Sequence, residues 1–157
     1  MINFDYDNEV TKPYHYQVDF LCNQQLHVEF ACVPRQSAIY HFNYKKNETP
    51  YLILNAGNGE LEVIGNVISG YQNMWNNLRV YVYMEMDVKP TKIGTLQSDK
   101  WEVGKQKAKG DNTCVVVAWE AAPMSLNVRY GVSYISVEQA KKNLRRRNKE
   151  LQIERMS

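Results

Sequence analysis

Residues 128–144, VRYGVSYISVEQAKKNL, change from a strand pattern to a helix pattern within a single residue. From Leu126 to Tyr134 the even positions are apolar and alternate with asparagine, arginine, glycine and serine. A period of two predicts a strand with one buried face. Because the segments upstream also show strand patterns, this transition predicts a sheet that is closed by a single C-terminal helix.

The helix is predicted to begin at Ser136, whose hydroxyl can accept a hydrogen bond from the backbone N–H of Gln139. The Gln139 side chain can reach back to complete a capping box, and Ile135 and Ala140 flank it at the staple positions. Apolar residues recur at helical spacing and predict one docking stripe: Val137, Ala140, Leu144 and Leu151. We therefore divide the chain into a sandwich domain, residues 1–135, and a basic capping or linker helix, residues 136–157.

The composition, 44% hydrophobic and 11% aromatic over 157 residues, is that of one globular domain with a sizeable core. No run of eighteen apolar residues occurs, so no membrane partner is expected. The N-terminus lacks the basic and apolar regions of a signal peptide, and the compartment stays open. The three cysteines have no CxxC spacing, which argues against a disulfide framework or a zinc site.

The net charge of +2 conceals an asymmetry. Residues 136–157 contain seven basic and three acidic side chains, a net +4, which leaves −2 for the rest of the chain. A basic patch alone would suggest nucleic acid. However, no aromatic side chain lies within the basic cluster to stack on a base, and the rest of the domain is acidic. We therefore expect a solvated or domain-linking helix and no nucleic-acid partner.

Ten short strands are predicted from alternating or apolar runs: residues 14–20, 26–32, 38–44, 51–54, 61–64, 79–87, 91–96, 101–103, 114–119 and 126–134. The first three form an antiparallel meander, whose first hairpin needs an odd number of connecting residues around Asn23. NAGNG, residues 55–59, and GDN, residues 110–112, have the composition of turns. Many short strands separated by turns favour an all-β fold, an antiparallel two-sheet β-sandwich with a C-terminal α-helix.

Several of these segments resemble the N-terminal β-sandwich domain of glycoside hydrolase family 92, the exo-acting α-mannosidases. They are YHYQVDF (residues 14–20), LHVEFACVPR (26–35), YHF (40–42), VYVYMEMDVKP (80–90) and GVSYISVEQAKKNL (131–144). The last resembles the segment that closes the family domain, and residues 26–35 resemble a strand ending in its arginine-containing turn. The resemblance implies a supersandwich-like fold and an activity of the α-1,2-mannosidase type in the parent protein.

The resemblance also implies what this sequence lacks. Family members begin the domain with a Gly- and His-rich segment that helps to shape the sugar pocket. After the closing helix they carry a larger (α/α)6-type helical domain with the catalytic carboxylates and a calcium site. We therefore expect a truncated domain, inactive alone and without a cofactor of its own, whose partners are an α-mannoside glycan and a helical catalytic domain. The alternative is a stand-alone carbohydrate-binding or assembly module.

An uncovered sheet edge would also allow a homo-oligomer, because an edge strand presents unpaired backbone groups. The missing N-terminal segment would leave such an edge exposed. Self-association through it is therefore a further expectation from the resemblance.

One carboxylate pair has the residue types that glycoside hydrolysis requires. Glu85 and Asp87 lie two apart on one strand face. Carboxylates at this spacing also occur on any solvated strand face, and neither has a neighbour in sequence that would desolvate it.

His15, His27 and His41 fall on outward faces at nonmatching registers, which argues against a metal cluster. The sequence therefore predicts no catalytic residue and no metal ligand in this chain.

The remaining candidates are aromatic or basic. Tyr71 and Trp75 lie among amides in YQNMWNN, residues 71–77, a predicted loop. An exposed ring beside Asn and Gln can stack on a sugar face while the amides bind its hydroxyls. The alternative is that Trp75 covers the sheet end as a lid on the core. Arg35 is a carbohydrate-contact candidate from the family turn, with bracing of that turn as its alternative.

Overall fold

The computed structural model describes residues 9–20, 26–33, 36–44, 49–97, 100–120 and 125–145. These residues form eleven strands: β1 Val10–Lys12, β2 His15–Phe20, β3 Leu26–Val33, β4 Ser37–Tyr44, β5 Tyr51–Ile64, β6 Val67–Asn73, β7 Arg79–Met86, β8 Lys92–Gln97, β9 Lys100–Val103, β10 Lys107–Ala118 and β11 Ser125–Ser133. A helix, α1, begins at residue 137 and continues to 145, the last described residue. The strands form one antiparallel sheet in the order β1-β2-β3-β4-β11-β7-β6-β5-β10-β8-β9.

The meander predicted at the start of the chain is confirmed. Phe20 pairs with Leu26, so five residues connect β2 to β3, an odd number as the shared core face requires. β3 then pairs with β4, and Val28 lies between Val18 and Phe42 on one face. The C-terminal strand β11 adds to the other side of β4. Across these four strands Val18, Val28, Phe42 and Leu126 follow one another on the same face of the sheet.

Two of the predicted turns are wrong, because both segments lie within long strands. β5 runs without a break through residues 55–59, and β10 runs through residues 110–112. The two segments pair with each other, Gly59 with Gly110 and Gly57 with Thr113, across a register shift. Gly57 (φ 57°) adopts the left-handed conformation that glycine allows. Turns and bulges both use glycine in this conformation, so the two are hard to distinguish by sequence. The turn composition therefore marks a bulge.

The sheet folds over so that its two halves enclose the core. In the strand order, β7 and β10 are three spacings apart, about 14 Å in a flat sheet. Yet the indole Nε1 of Trp119, just after β10, donates to the carbonyl of Val88, just after β7, at 3.1 Å. The all-β fold with one C-terminal helix is confirmed. The two layers of the sandwich are parts of one continuous sheet.

The main core lies between these layers and is drawn from both. Its buried members are Ala56, Leu61, Val63, Ile68, Met84, Met86, Val115, Val117, Trp119, Leu126 and Val128. Residues from β4 and from the first half of β5 pack against this cluster. Burial of apolar surface on this scale is the dominant stabilising contribution to a sandwich of this size.

Helix α1 covers part of the outer face of the sheet, where Ala140 and Leu144 are buried against Tyr83. The backbone N–H of Gln139 donates to the Ser136 hydroxyl at 3.1 Å, as the predicted cap requires. The second half of the predicted capping box is wrong, because the Gln139 amide donates to Asn143 at 2.9 Å. Leu151, the last residue of the predicted stripe, lies outside the described residues.

Candidate functional site

The loop between β6 and β7 is the most exposed aromatic feature of the described chain. Residues 71–73 belong to β6, so the predicted loop is shorter than expected. The Met74 N–H donates to the Leu78 carbonyl at 2.7 Å, which closes the loop around a 3-10 turn, Trp75–Asn77. Asn76 and Asn77 have φ values of 59° and 58°, a conformation that asparagine tolerates better than most residues. The two asparagines thus fix the backbone beside Trp75.

Trp75 is 76% exposed, so the alternative in which it covers the core as a lid is wrong. Leu78 in the same loop is also exposed. An exposed indole on a closed hairpin offers a flat apolar surface with a free N–H edge. This is the type of surface on which a sugar ring can stack.

Tyr71 lies in β6, beside this loop, and is surrounded by polar and aromatic side chains. The Arg79 guanidinium lies over the Tyr71 ring at 4.5 Å, and the Tyr81 ring is 6.1 Å away. Arg79 Nε donates to the side-chain Oδ1 of Asn73 at 3.0 Å, and Asn73 Nδ2 donates to Asn58 Oδ1 at 3.1 Å. The stacked cation fixes the ring, and the amides around it supply donors and acceptors for hydroxyl groups. Sequence reasoning identified Tyr71 and Trp75 but missed Arg79 and Asn58.

A cavity of about 370 Å³ lies between the two layers of the sandwich. Its lining is aliphatic and aromatic, with Asn55 and Gln72 as the amide side chains. A sugar carries several hydroxyl groups and needs more polar partners than this lining provides. The Trp75 loop therefore suits a carbohydrate better than the cavity does.

The Glu85 and Asp87 carboxylates brace neighbouring elements on the outer face. Glu85 lies 3.2 Å from the Arg129 guanidinium and 3.9 Å from that of Arg145. Burial and the adjacent Glu85 charge raise the pKa of the Tyr83 hydroxyl. Asp87 accepts hydrogen bonds from the Asn127 backbone N–H at 2.9 Å and from its amide at 2.6 Å. The described contacts of both carboxylates are structural.

Arg35, the third candidate, lies outside the described residues.

Two of the three histidines, His15 and His27, lie near the same carboxylate, that of Glu29. His27 lies between two carboxylates, 2.5 Å from Asp19 and 3.1 Å from Glu29, and His15 lies 3.6 Å from Glu29. His15 pairs with Ala31 and His27 pairs with Asp19, so the expected nonmatching registers of these two histidines are confirmed, although both side chains reach Glu29. The predicted hairpin centred on Asn23 already pairs Asp19 with His27, so this contact was accessible from the sequence. No group of three or more His, Cys, Asp or Glu side chains in the described part of the chain could hold a metal ion.

This cluster predicts a pH-dependent stability. The hydrogen bond to Asp19 raises the pKa of His27 above 6.5, and the hydrogen bond from His27 lowers the pKa of Glu29 below 4.5. A raised histidine pKa stabilises the fold below pH 6.5, and this contribution is lost as pH rises through the folded pKa. A lowered glutamate pKa stabilises it above pH 4.5, and this contribution is lost as pH falls through the folded pKa. The contribution is therefore greatest between pH 4.5 and 6.5.

We expect His27→Gln to lower the unfolding free energy by about 1 kcal/mol near pH 5.5 and by less at pH 8.5. Urea denaturation of both proteins at the two pH values measures the difference. Lys89→Glu, a charge change at an exposed position away from the cluster, controls for general electrostatics. An equal loss at both pH values would show that the ionised pair contributes nothing.

Comparison with known proteins extends this picture. The model of the glycosyl hydrolase family 92 N-terminal domain matches residues 1–133. The chain belongs to this family. The fold is similar to that of a family GH92 inverting mannosidase from Bacteroides thetaiotaomicron, with a TM-score of 0.82 and 23% identity over 92% of this chain and 21% of that one. It is also similar to a family GH92 α-mannosidase from the same organism, with a TM-score of 0.78 and 18% identity over 92% of this chain and 22% of that one.

The family 92 N-terminal domain thus spans about one fifth of the solved mannosidases to which it is similar. A search of curated protein sequences gives no match. In the described part of the chain no helix is long and apolar enough to cross a membrane.

Proposed function

We propose that this chain is the non-catalytic N-terminal domain of an α-mannoside-processing glycosidase, and that it acts by packing against a helical catalytic domain. The observation that carries the proposal is the family match over residues 1–133. The chain spans only about one fifth of similar solved mannosidases, which leaves most of an enzyme to another segment. In this proposal the catalytic carboxylates and calcium belong to that helical segment.

The contacts of the carboxylates support a non-catalytic role. Glycoside hydrolysis needs an acid and a base or nucleophile on either side of one bond. Glu85 faces two arginines, and Asp87 accepts two hydrogen bonds from Asn127. Both carboxylates are therefore engaged in contacts within the domain, which favours a structural role for the pair.

The test is to incubate the 157-residue chain with a chromogenic α-mannoside and with an α-linked mannobiose, with and without calcium. We expect no turnover above the uncatalysed rate under any of these conditions. Glu85→Gln and Asp87→Asn serve as matched variants that keep side-chain size. Turnover that disappears in either variant would give the chain its own active site and overturn the proposal.

A second candidate function is a carbohydrate-binding module, favoured by the exposure of Trp75. Isothermal titration with α-mannosides separates the two functions, because only a module needs measurable affinity. If the chain is a carbohydrate-binding module, we expect a heat of α-mannoside binding that is lost in Trp75→Ala. The heat should be kept in Tyr134→Ala, which removes another exposed ring. The absence of a measurable heat of binding at millimolar α-mannoside supports the proposed non-catalytic domain.

A further inference from the structure

Strand β9 is an edge of the sheet that carries exposed apolar side chains. In the described strand order, β9 is last and has β8 as its neighbour. Trp101 is 56% exposed and Val103 is 91% exposed. An edge strand with large apolar side chains is a template for pairing with another strand. β1, the opposite edge, is only three residues long and is followed by Pro13, which suits pairing less well.

The backbone of β9 is oriented for such pairing. The Gly104 N–H donates to the Ile93 carbonyl at 2.8 Å, so these residues form a hydrogen-bonded pair between β8 and its neighbour. Antiparallel ladders alternate hydrogen-bonded with non-bonded pairs, and Val103 opposite Gly94 and Trp101 opposite Leu96 are therefore non-bonded pairs. The N–H and C=O groups of Trp101 and Val103 thus point away from β8.

The two faces of β9 have different chemistry. Val103 lies in a cross-strand row with Gly94, Val116 and Ile53, and Ile53 is itself half exposed. Trp101 lies on the same face, because it is two residues from Val103. Lys100 and Glu102 lie on the opposite face. The strand is therefore apolar on one face and carries one charge of each sign on the other.

We propose that β9 pairs in antiparallel orientation with β9 of a second copy of this chain, with Trp101 opposite the partner's Trp101. In this register the outward N–H and C=O groups of both tryptophans form two reciprocal hydrogen bonds across a two-fold axis. Lys100 then lies opposite the partner's Glu102 on one face, and the same pair recurs by symmetry. On the other face the two indoles come together beside Val103, on the face of the sheet that also carries Val116 and Ile53.

Charge complementarity selects this register. A shift that places Glu102 opposite the partner's Glu102 would bring two like charges together, which destabilises a strand pair. With Trp101 on the axis, every described charge of β9 meets an opposite one. Within one chain Glu102 already contacts Lys105 and lies 3.5 Å from Lys100, and the dimer adds a further cation to this carboxylate. The inference does not rest on the proposed function.

Sedimentation equilibrium of the 157-residue chain over a wide concentration range tests the pairing. We expect a monomer–dimer equilibrium, and we expect Lys100→Glu or Glu102→Lys alone to weaken it by about tenfold or more, because each places two like-charged pairs across the axis. An equimolar mixture of the two variants restores opposite charges and should form a heterodimer as stable as the original dimer. Lys89→Glu, the same charge change outside β9, should leave association unchanged.

Trp101→Pro provides a second variant. Proline removes a backbone N–H that β8 does not use, so the strand can keep its pairing with β8 while the outer edge is blocked. Its circular dichroism should match that of the unsubstituted chain, and it should sediment as a monomer. A monomeric parent chain at all concentrations, single charge variants that associate as tightly as the parent, or a mixture that does not recover would each overturn the proposal.

Discussion

Replacing Trp119 by alanine is expected to lower the unfolding free energy by about 3–5 kcal/mol. Trp119 is 1% exposed and belongs to the core cluster shared by both layers. Its indole N–H donates to the Val88 carbonyl, and its backbone N–H donates to Pro50 at 3.1 Å. The substitution removes the largest buried side chain at the place where the folded sheet meets itself. A loss of this size is a large share of the stability of a single domain.

Urea denaturation followed by circular dichroism measures this loss without relying on the tryptophan signal. Trp75→Ala is the matched control, because the same side chain is removed from an exposed site, and it should change stability by about 0.5 kcal/mol or less. Trp119→Phe keeps most of the volume and loses the hydrogen bond, so it should lie between the two. If Trp119→Ala cost no more than Trp75→Ala, the two layers would not share this core.

The strands that sequence predicted best are those whose alternation is uninterrupted. β2, β3 and β4 keep their apolar positions in register, so both the strands and their pairing followed from a period of two. β6 was missed because its sequence, VISGYQN, includes Gly70, which weakens the strand pattern. A Cβ atom at Gly70 would lie 1.9 Å from the Glu60 carbonyl oxygen. The residue that obscures the strand in sequence is thus the one that its close pairing with β5 requires.

Only part of the candidate site could be predicted from the sequence. The exposure of Trp75 agrees with its asparagine neighbours, which favour a turn. The stacking of Arg79 on Tyr71 depends on the pairing of Asn73 with Arg79 across the β6–β7 hairpin, and that register was not available without β6. The bulge between β5 and β10 could not be predicted from sequence either, because it depends on the pairing of two segments that are distant in sequence.

Replacing Gly131 by valine is expected to displace α1 from the sheet. A Cβ atom at Gly131 would lie 2.3 Å from the Ala140 carbonyl oxygen and 3.1 Å from the Leu144 backbone nitrogen. Both contacts are with the backbone of the helix, which cannot rotate away as a flexible side chain can. The helix must therefore shift or detach, and overpacking of this kind costs about 1–3 kcal/mol.

Hydrogen exchange distinguishes detachment of α1 from global unfolding. We expect amides of residues 139–145 to lose protection in Gly131→Val while the core strands β7 and β10 keep theirs, because the main core lies on the other face of the sheet. Gly94→Ala is the control: its Cβ would lie 3.5 Å from the nearest atom, an ordinary contact, and protection of α1 should be unchanged. Unaltered protection of α1 in Gly131→Val would mean that the helix does not depend on its close approach to Gly131. The burial of Ala140 and Leu144 against Tyr83 would then be sufficient to hold α1 on the sheet.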